Sequence, residues 1–314
     1  MTDMRKVAFL FAGQGAQTVG MGRDFADTVP ESGAVFSMGE ALRTGITQIC
    51  FGTGSQMDGA LLGQTANTQP CLFLTDLAIA EAFRAVGLLP AAAAGFSLGE
   101  IPAAAFAGVL SYEEAFRFVL LRAESMAWQS GRHPGGMAAA LKLAPEVVEE
   151  ICSRFSEVWP VNYNCPGQVS CAGSAAEIDD FCAAVRQAGG RAVKLPVSGA
   201  FHTPYMAQVA PVLRAALDGA DVSAPAIPLY ANRTASPYPA DRAGILDCMT
   251  LQVCSPVRWE STLRAMWTAG ITTFVEVGAG HTLTGFVSRT LPEARALTVN
   301  DIPSFEAVCR ELTE

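Results

Sequence analysis

A serine enclosed by glycines is the first group in this sequence that has the setting of a nucleophile. Ser97 lies in the run Gly95-Phe96-Ser97-Leu98-Gly99, after an apolar stretch that predicts a strand and before residues that predict a helix. In such a turn the hydroxyl is exposed, and the following backbone N–H, that of Leu98, points to where an oxyanion would form. Serine is also a common helix N-cap. The pattern therefore predicts a catalytic serine or a cap, and it favours the first.

A serine nucleophile needs a base, and the chain contains only three histidines. His133 lies in "SGRHPGG", which predicts a solvated loop. His281 lies in "VGAGHTLTG" at a predicted helix start, where the helix dipole disfavours a positive charge. His202, in "VSGAFHTPYM", follows the point where the chain returns from a predicted insert to the main body. His202 is therefore the first candidate for the base, by a small margin over the other two.

Two further groups could bind parts of a substrate. The loop "FAGQGAQTVGMG" follows the first predicted strand, but it matches neither the dinucleotide nor the phosphate-loop pattern, which argues against a nucleotide site. The glycine-flanked N–H of Gln14 is instead a candidate second oxyanion donor. Arg122 interrupts the apolar face of a helix predicted over 112–128. From the residues alone it is either a structural, ion-paired arginine or a bidentate clamp on a carboxylate.

The elements that must position these residues alternate between strand and helix. This alternation predicts an α/β fold, a parallel sheet with helices on both faces. The strands are predicted over 6–11, 91–95, 227–232 and 272–278, and the helices over 69–86, 112–128, 259–269 and 281–291.

The rhythm changes between residues 128 and 198. There the order is strand, helix, two strands joined by a Cys-Pro-Gly turn, helix, strand, which is the β-α-β-β-α-β order of a ferredoxin-like unit. The sequence therefore predicts a small subdomain over 128–198, inserted into a discontinuous large domain of 1–127 and 199–314. A cleft between two such bodies is a common place for a substrate site.

Composition excludes several classes of protein. Of the 314 residues 50% are hydrophobic and 16% are charged, which describes a well-buried globular protein. The net charge of −9 argues against general nucleic-acid binding. No apolar run is long enough to span a bilayer, so no membrane association is predicted. The nine cysteines include no C-x-x-C pair, which predicts no metal site and reduced thiols in a cytoplasmic protein.

Seven motifs in a fixed order carry a family resemblance. They are "FLFAGQGAQTVGMG", "NTQP", "GFSLGE", "NYNCPGQ", "GAFHTPYM", "SPVRW" and "EVGAGHTLTG". Together they resemble the malonyl-CoA:acyl carrier protein transacylases and the acyltransferase domains of polyketide synthases, over nearly the whole chain. The resemblance implies an α/β-hydrolase-like parallel-sheet body that carries an inserted ferredoxin-like subdomain, in agreement with the order of elements above.

The resemblance also implies a role for each candidate residue. Ser97 would be acylated, and His202 would be its base and later the acid for the leaving thiol. The backbone N–H groups of Gln14 and Leu98 would form the oxyanion hole, and Arg122 would bind the malonyl carboxylate. Family members commonly use a Ser-His dyad whose imidazole is held by a backbone carbonyl. The remaining implied residues are Gln252, whose carbonyl would orient the histidine, and two supporting residues of the site, Gln69 and Asn162.

The implied reaction is a ping-pong transfer of malonyl from malonyl-CoA to the phosphopantetheine thiol of acyl carrier protein, in fatty-acid or polyketide synthesis. No permanently bound cofactor is implied, since coenzyme A enters as the substrate thioester. Phe201 resembles the malonyl-type signature, because a phenyl ring beside the α-carbon would disfavour a methyl branch. Two alternatives stay open: an acyl hydrolase or thioesterase on the same scaffold, and a non-catalytic subunit that retains the fold.

Two residues depart from the expected pattern. The family commonly has histidine before the nucleophile, where this chain has Phe96. Phenylalanine cannot form a side-chain hydrogen bond, so a polar role at that position is lost, while the nucleophile, base and oxyanion donors are untouched. Pro102 lies about one turn into the helix that follows the serine, where it removes an N–H and predicts either a kink or the true helix start.

Overall fold

The strands form two separate sheets. The computed structural model describes residues 3–197 and 199–314. The strands there are β1 (Val7–Phe11), β2 (Ala92–Gly95), β3 (Gly135–Leu141), β4 (Val158–Cys165), β5 (Gln168–Ser174), β6 (Arg191–Lys194), β7 (Leu229–Tyr230), β8 (Thr273–Val277) and β9 (Arg295–Val299). The main sheet is parallel, with the order β7-β2-β1-β8-β9, and the second sheet is antiparallel, with the order β4-β5-β3-β6.

Helices connect the strands of the described chain, except β4 and β5, which a tight turn joins. The helices are α1 (Arg23–Thr28), α2 (Pro30–Leu42), α3 (Ile46–Phe51), α4 (Asp58–Leu62), α5 (Thr65–Ala85), α6 (Glu100–Phe106), α7 (Tyr112–Arg132), α8 (Pro145–Cys152), α9 (Ile178–Gln187), α10 (Val209–Ala216), α11 (Arg242–Leu251), α12 (Trp259–Thr268), α13 (Thr282–Thr290) and α14 (Ile302–Thr313). Short 3₁₀ turns cover Ser97–Gly99 and Gln252–Cys254, among others. The first of these turns follows β2 directly and joins it to α6.

The main sheet is covered on both faces. All five residues of β1 are buried, and successive side chains of a strand point to opposite faces. Phe9 packs in the core cluster to which α5 and α7 contribute. Leu10 packs in a second cluster with Trp259 of α12 and Phe286 of α13. Helices on both faces of a buried parallel sheet are the predicted α/β arrangement.

The pairing of strands brings three loops to one edge of the main sheet. Phe11, the last residue of β1, pairs with Gly95 at the end of β2 and with Val277 at the end of β8. The loop after β1, the serine turn after β2 and the loop after β8 therefore leave the sheet side by side. Ligand sites of open parallel sheets are usually built at this carboxyl edge.

The second sheet confirms the predicted ferredoxin-like topology. Its strands follow one another as β-α-β-β-α-β, and in space the second and third strands pair, the first lies beside the third, and the fourth lies beside the first. The helices α8 and α9 pack against this sheet, with Ile151 and Phe181 in a small core of their own. The boundaries of the insert at 128 and 198 stay a prediction, and Ser198 lies outside the described residues.

Several elements differ from the sequence prediction. Helix α5 begins at Thr65 rather than at 69 and continues through Pro70. The proline cannot donate to the carbonyl of Ala66, and that carbonyl instead accepts from Arg43 Nη1 at 2.8 Å. The predicted strand 227–232 shrinks to the two residues of β7. The edge strand β9 was not predicted, because only its last residue, Val299, is fully buried.

We predict that Gly99→Ala destabilises the protein, because Gly99 lies against the end of β1. A Cβ on Gly99 would lie 2.2 Å from the carbonyl oxygen of Phe11 and 2.5 Å from that of Ala12. Strain of this kind lowers the free energy of unfolding by roughly 2–4 kcal/mol. Urea unfolding followed by circular dichroism measures it.

The matched control is Gly131→Ala in α7, where an added Cβ would meet no atom within 4 Å. In a helix this change is neutral or stabilises by up to about 1 kcal/mol. Equal unfolding midpoints for Gly99→Ala and the unmodified protein would contradict the account of the turn.

Candidate active site

The turn that holds Ser97 closes only because glycines lie on both sides of it. Ser97 has φ of 53°, in the left-handed region that residues with a Cβ seldom adopt. A Cβ on Gly95 would lie 1.9 Å from the carbonyl carbon of Gly99. The backbone therefore folds back on itself between β2 and α6 and presents the serine at the carboxyl edge of the sheet, as the sequence predicted.

His202 is the histidine that contacts this serine. Ser97 Oγ and His202 Nε2 are 2.7 Å apart. On the other side of the ring, Nδ1 lies 2.9 Å from the carbonyl oxygen of Gln252 and 3.1 Å from that of Ser255. A carbonyl can only accept, so Nδ1 carries the hydrogen and Nε2 is free to accept from the serine hydroxyl. Gln252 lies where the sequence predicted it, and Ser255 is a second partner that was not predicted.

The imidazole is held in its neutral form. Burial, followed by the positive charge of Arg122, lowers the pKa of His202 to about 4, against the opposing effect of the Gln252 and Ser255 carbonyls. The side chain is 4% exposed. A histidine that is neutral at physiological pH can take a proton from a hydroxyl or a thiol.

Arg122 enters the same site from α7. It is 1% exposed, and its Nη1 donates to Gln69 Oε1 at 2.6 Å. Its Nη2 donates to Gln252 Oε1 at 2.8 Å and lies 3.4 Å from Ser97 Oγ. Within the described chain no carboxylate forms a salt bridge with it, and its Nε has no hydrogen-bond partner. Burial lowers the pKa of Arg122 to about 10, against the opposing charge of Glu100.

The side chain of Asn232 holds the serine turn and was not predicted. Its Oδ1 accepts from the N–H of Ser97 at 2.7 Å, and its Nδ2 donates to the carbonyl of Gly95 at 2.6 Å. Asn232 follows β7 by two residues, so it comes from the same carboxyl edge of the sheet. A polar residue directly after the apolar run "IPLYA" was the available signal in the sequence.

The two candidate oxyanion donors lie on adjacent loops. The N–H of Ser97 is occupied by Asn232, whereas that of Leu98 belongs to the first turn of a helix, where N–H groups have no intrahelical partner. Gln14 follows β1, and its side chain donates to Thr65 Oγ1 at 3.2 Å. A Cβ on Gly13 would lie 2.4 Å from the carbonyl oxygen of Phe96. The Gln14 loop therefore lies against the serine turn, and the oxyanion role of both N–H groups stays a prediction.

The other predicted residues fall into two groups. Gln69 is fully buried and contacts Arg122, and Phe201 is 6% exposed, directly before His202. Asn162 lies on β4 of the insert and is bridged to Val257, but its buried Oδ1 has no hydrogen-bond partner in the described part of the molecule. None of the side-chain hydrogen bonds described for Ser97, His202 and Arg122 involves it.

The two remaining histidines lie elsewhere. His133 is exposed and stacks on Tyr205, with 4.9 Å between ring centroids. His281 is exposed and precedes the first residue of α13. Neither hydrogen-bonds Ser97, so the geometry selects His202 far more clearly than the sequence did.

The side chain of Phe96 packs against other aromatic rings and forms no hydrogen bond. Its ring lies edge-on to Trp259, with 5.4 Å between centroids, and 6.0 Å from the ring of Phe286. The position before the nucleophile therefore belongs to an aromatic cluster of the second core. Pro102 is the third residue of α6, where no intrahelical bond is lost by the missing N–H.

Neither a metal site nor a membrane span is found in residues 3–197 and 199–314. No three histidine, cysteine or acidic side chains come together there in a way that could hold a metal ion. None of the helices combines the length and the apolar character that crossing a bilayer requires.

Comparison with known proteins assigns the family. The family described as "Acyl transferase domain" matches residues 8–310. The chain belongs to the acyltransferase family. Over 317 aligned residues this acyltransferase is 33% identical to the malonyl CoA-acyl carrier protein transacylase of Bacillus subtilis (strain 168), a match that covers 99% of this chain and 98% of the relative.

Solved structures of acyltransferases share the whole fold. A malonyl-CoA:acyl carrier protein transacylase from Xanthomonas oryzae pv. oryzae superposes with a TM-score of 0.93 at 32% identity, over 99% of both chains. A second structure is a complex of a type II polyketide synthase acyl-carrier protein with its malonyl-transacylase. It gives a TM-score of 0.92 at 29% identity, over 98% of both chains.

We predict that this acyltransferase keeps a reactive serine well into acid. Only neutral His202 can accept the serine proton, and its pKa of about 4 means that it stays neutral until the pH falls that far. The rate at which a fluorophosphonate probe labels Ser97 is expected to fall as His202 becomes protonated. This fall is expected near pH 4 rather than near the unperturbed histidine pKa of about 6.5.

Labelling rates across the pH range, with His202→Ala as control, measure this. The control is expected to react slowly at every pH. A histidine titration near the unperturbed pKa would show that the ring is solvated and that the burial described above is wrong.

Proposed function

We propose that this chain is an acyl carrier protein S-malonyltransferase, which moves malonyl from malonyl-CoA to the phosphopantetheine thiol of acyl carrier protein in fatty-acid or polyketide synthesis. The observation that carries the proposal is the buried guanidinium of Arg122, which lies 3.4 Å from the Oγ of a serine already hydrogen-bonded to His202. A buried arginine with neutral amide partners fits an acyl group that ends in a carboxylate. The names of the relatives support the same substrate pair.

The first half-reaction would acylate the serine. As Ser97 Oγ attacks the thioester carbonyl, its proton passes to His202 Nε2, and the carbonyl oxygen becomes an oxyanion beside the N–H groups of Leu98 and Gln14. Collapse of this intermediate breaks the carbon–sulfur bond. The coenzyme A sulfur leaves with the proton from His202, and malonyl remains as an ester on the serine.

The second half-reaction would run the same steps with another thiol. The carrier protein thiol gives its proton to His202 and attacks the ester, and Ser97 recovers the proton as its Oγ leaves. Throughout, the free carboxylate of the malonyl group would bind the fork of Arg122. Since that carboxylate is identical in both half-reactions, one arginine orients the acyl group for loading and for transfer.

The supporting roles are proposals of the same kind. Gln69 and the side chain of Gln252 would orient Arg122, the Gln252 carbonyl would orient His202, and Phe201 would restrict the space beside the malonyl α-carbon. Asn162 would line the site from the insert, which we assign to 128–198, with the large domain at 1–127 and 199–314. The only cofactor-like group is the coenzyme A of the substrate. All nine cysteines are free thiols, which supports a cytoplasmic reaction.

We predict that brief mixing with malonyl-CoA adds one malonyl group to the protein, and that added phosphopantetheinylated carrier protein removes it. Ser97→Ala is expected never to gain the group, because among the described residues Ser97 carries the hydroxyl that is hydrogen-bonded to His202 Nε2. Intact-mass spectrometry measures the loading and the loss.

The same experiment separates the alternatives. An adduct that disappears equally fast with and without carrier protein identifies a hydrolase. A protein that gains no adduct from malonyl-CoA, or from a panel of other acyl-CoAs, is a non-catalytic subunit.

We predict that Arg122→Ala changes which acyl group is loaded. Without the guanidinium a malonyl carboxylate would be buried without a partner, while acetyl-CoA needs none. The preference for malonyl over acetyl in the loading rate is expected to fall by about 100-fold or more. Competition between the two thioesters, read by mass, measures the ratio directly.

Arg117→Ala is the matched control, since Arg117 lies on the same helix but is exposed. It is expected to keep the malonyl preference of the unmodified protein. An unchanged preference in Arg122→Ala would contradict the proposal that Arg122 binds the malonyl carboxylate.

A further inference from the structure

A buried carboxylate lies behind the serine, and the reaction described above does not use it. Glu100 is the first residue of α6 and is fully buried. Its Oε1 accepts from the hydroxyl of Tyr238 at 2.5 Å. Its Oε2 accepts from the N–H of Asn232 and from Gln252 Nε2, each at 3.0 Å. A carboxylate with three donors in a dry site is an ordered part of the structure rather than a solvated charge.

The partners of Glu100 are the groups that hold the nucleophile. Asn232 accepts from the N–H of Ser97 at 2.7 Å, and Gln252 Nε2 donates to the carbonyl of Ser97 at 2.6 Å. Both polar groups of the serine backbone are therefore fixed by amide side chains, and both of those residues are bonded to one oxygen of Glu100.

The same carboxylate is linked to Arg122 through the side chain of Gln252. Gln252 Oε1 accepts from Arg122 Nη2 at 2.8 Å, so one amide side chain joins Glu100, Ser97 and Arg122. Among the described residues Glu100 is the acid whose charge acts on Arg122. It is not the acid of a catalytic triad, because His202 Nδ1 is bonded to two backbone carbonyls.

We propose that Glu100 is a positioning residue for the reaction: it orients Asn232 and Gln252, and through them it fixes the backbone of Ser97 in its left-handed conformation. The inference deepens the proposed function, and it depends on that function only for the identity of the acyl group. A serine held at φ of 53° needs such support, since surrounding structure must maintain a sparsely populated backbone conformation.

Two substitutions of Glu100, one to glutamine and one to alanine, distinguish a positioning role from an effect of its negative charge. In Glu100→Gln the amide oxygen can still accept from Asn232 and Gln252, and the new NH₂ can donate to the oxygen of Tyr238. In Glu100→Ala all three acceptor contacts are lost. Glu100→Ala therefore frees the backbone N–H of Asn232 and the amide side chain of Gln252, whereas Glu100→Gln changes the charge and the direction of the Tyr238 hydrogen bond.

The experiment measures how fast Ser97 reacts with two reagents, a fluorophosphonate probe and malonyl-CoA, in folded protein of known unfolding midpoint. Glu100→Ala is expected to react about 10- to 100-fold more slowly with both, the scale of a small misplacement of a reacting group. Glu100→Gln is expected to react within about threefold of the unmodified protein, because it keeps the acceptor geometry that positions Asn232 and Gln252.

The matched controls are Glu81→Gln and Glu81→Ala. Glu81 accepts from the hydroxyl of Tyr112 at 2.5 Å and from Arg84 at 2.9 Å. It is therefore another largely buried glutamate on a tyrosine, but its side-chain hydrogen bonds in the described chain go to residues outside the site. Both controls are expected to change the unfolding midpoint without changing the reaction rate of Ser97.

Two results would overturn the inference: Glu100→Ala reacting at the unmodified rate, or a folded Glu100→Gln as slow as Glu100→Ala, which would make charge rather than position the cause. Should Glu100→Ala fail to fold, Asn232→Ala decides. That variant removes the bond to the Ser97 N–H, so a slow serine supports the inference and an unmodified rate overturns it.

The two reagents keep this test separate from that of the proposed function. If the unmodified protein reacts with the probe but not with malonyl-CoA, the proposal that malonyl is the acyl group is wrong. The probe rates of the variants still test the role of Glu100. Normal malonyl loading in all the Glu100 variants overturns the positioning role alone. A wild-type serine that reacts with neither contradicts both.

Discussion

The contact between the serine turn and the end of β1 is the constraint on which the site depends. Gly99 lies so close to the carbonyls of Phe11 and Ala12 that no side chain fits between them. This contact sets the start of α6 against the central strand. Because β1 and β2 are paired at Phe11 and Gly95, the same contact places the Gln14 loop beside the serine. Backbone packing thereby sets the place of the nucleophile and of the candidate oxyanion donors, and the side chains of Asn232 and Gln252 then hold the serine backbone.

Burying polar groups around that contact lowers the free energy of unfolding. His202, Arg122 and Glu100 are all ionisable and almost fully withdrawn from water, and burial opposes the charged form of each. It raises the pKa of Glu100 to about 7, while hydrogen bonds from Tyr238, Gln252 and Asn232 and the charge of Arg122 oppose the rise. Groups that an apolar core would exclude are retained here because they act on one another and on the serine.

The sequence was most informative where the evidence is local. The glycines around Ser97, the helix that bears Arg122 and the β-α-β-β-α-β order all depend on residues close in the chain. Asn232 and Ser255 were missed because Asn232 reaches the site through the pairing of β7 with β2, and Ser255 acts through a backbone carbonyl after a 3₁₀ turn, which its residue type does not reveal. The sequence predicts only a helix after Ser97 and no role for Glu100, because the partners of that carboxylate come from more than 130 positions away. In the described chain the buried Oδ1 of Asn162 has no hydrogen-bond partner, so no hydrogen bond from it orients the reacting atoms.

The pair of carbonyls on His202 Nδ1 has a consequence for which nucleophile can release the acyl group. Carbonyls orient the ring but add no full negative charge, so they do not offset burial and the charge of Arg122, which lower the pKa of His202 to about 4 and make the ring a weak base. A thiol with an ordinary pKa of about 8.5 gives up its proton far more readily than water, at about 15.7. A weak base therefore assists a thiol much better than it assists water. An ester on Ser97 would be long-lived in water and short-lived beside a carrier thiol. The preference for the thiol over water would then come from the greater acidity of the thiol as well as from the exclusion of water from the site.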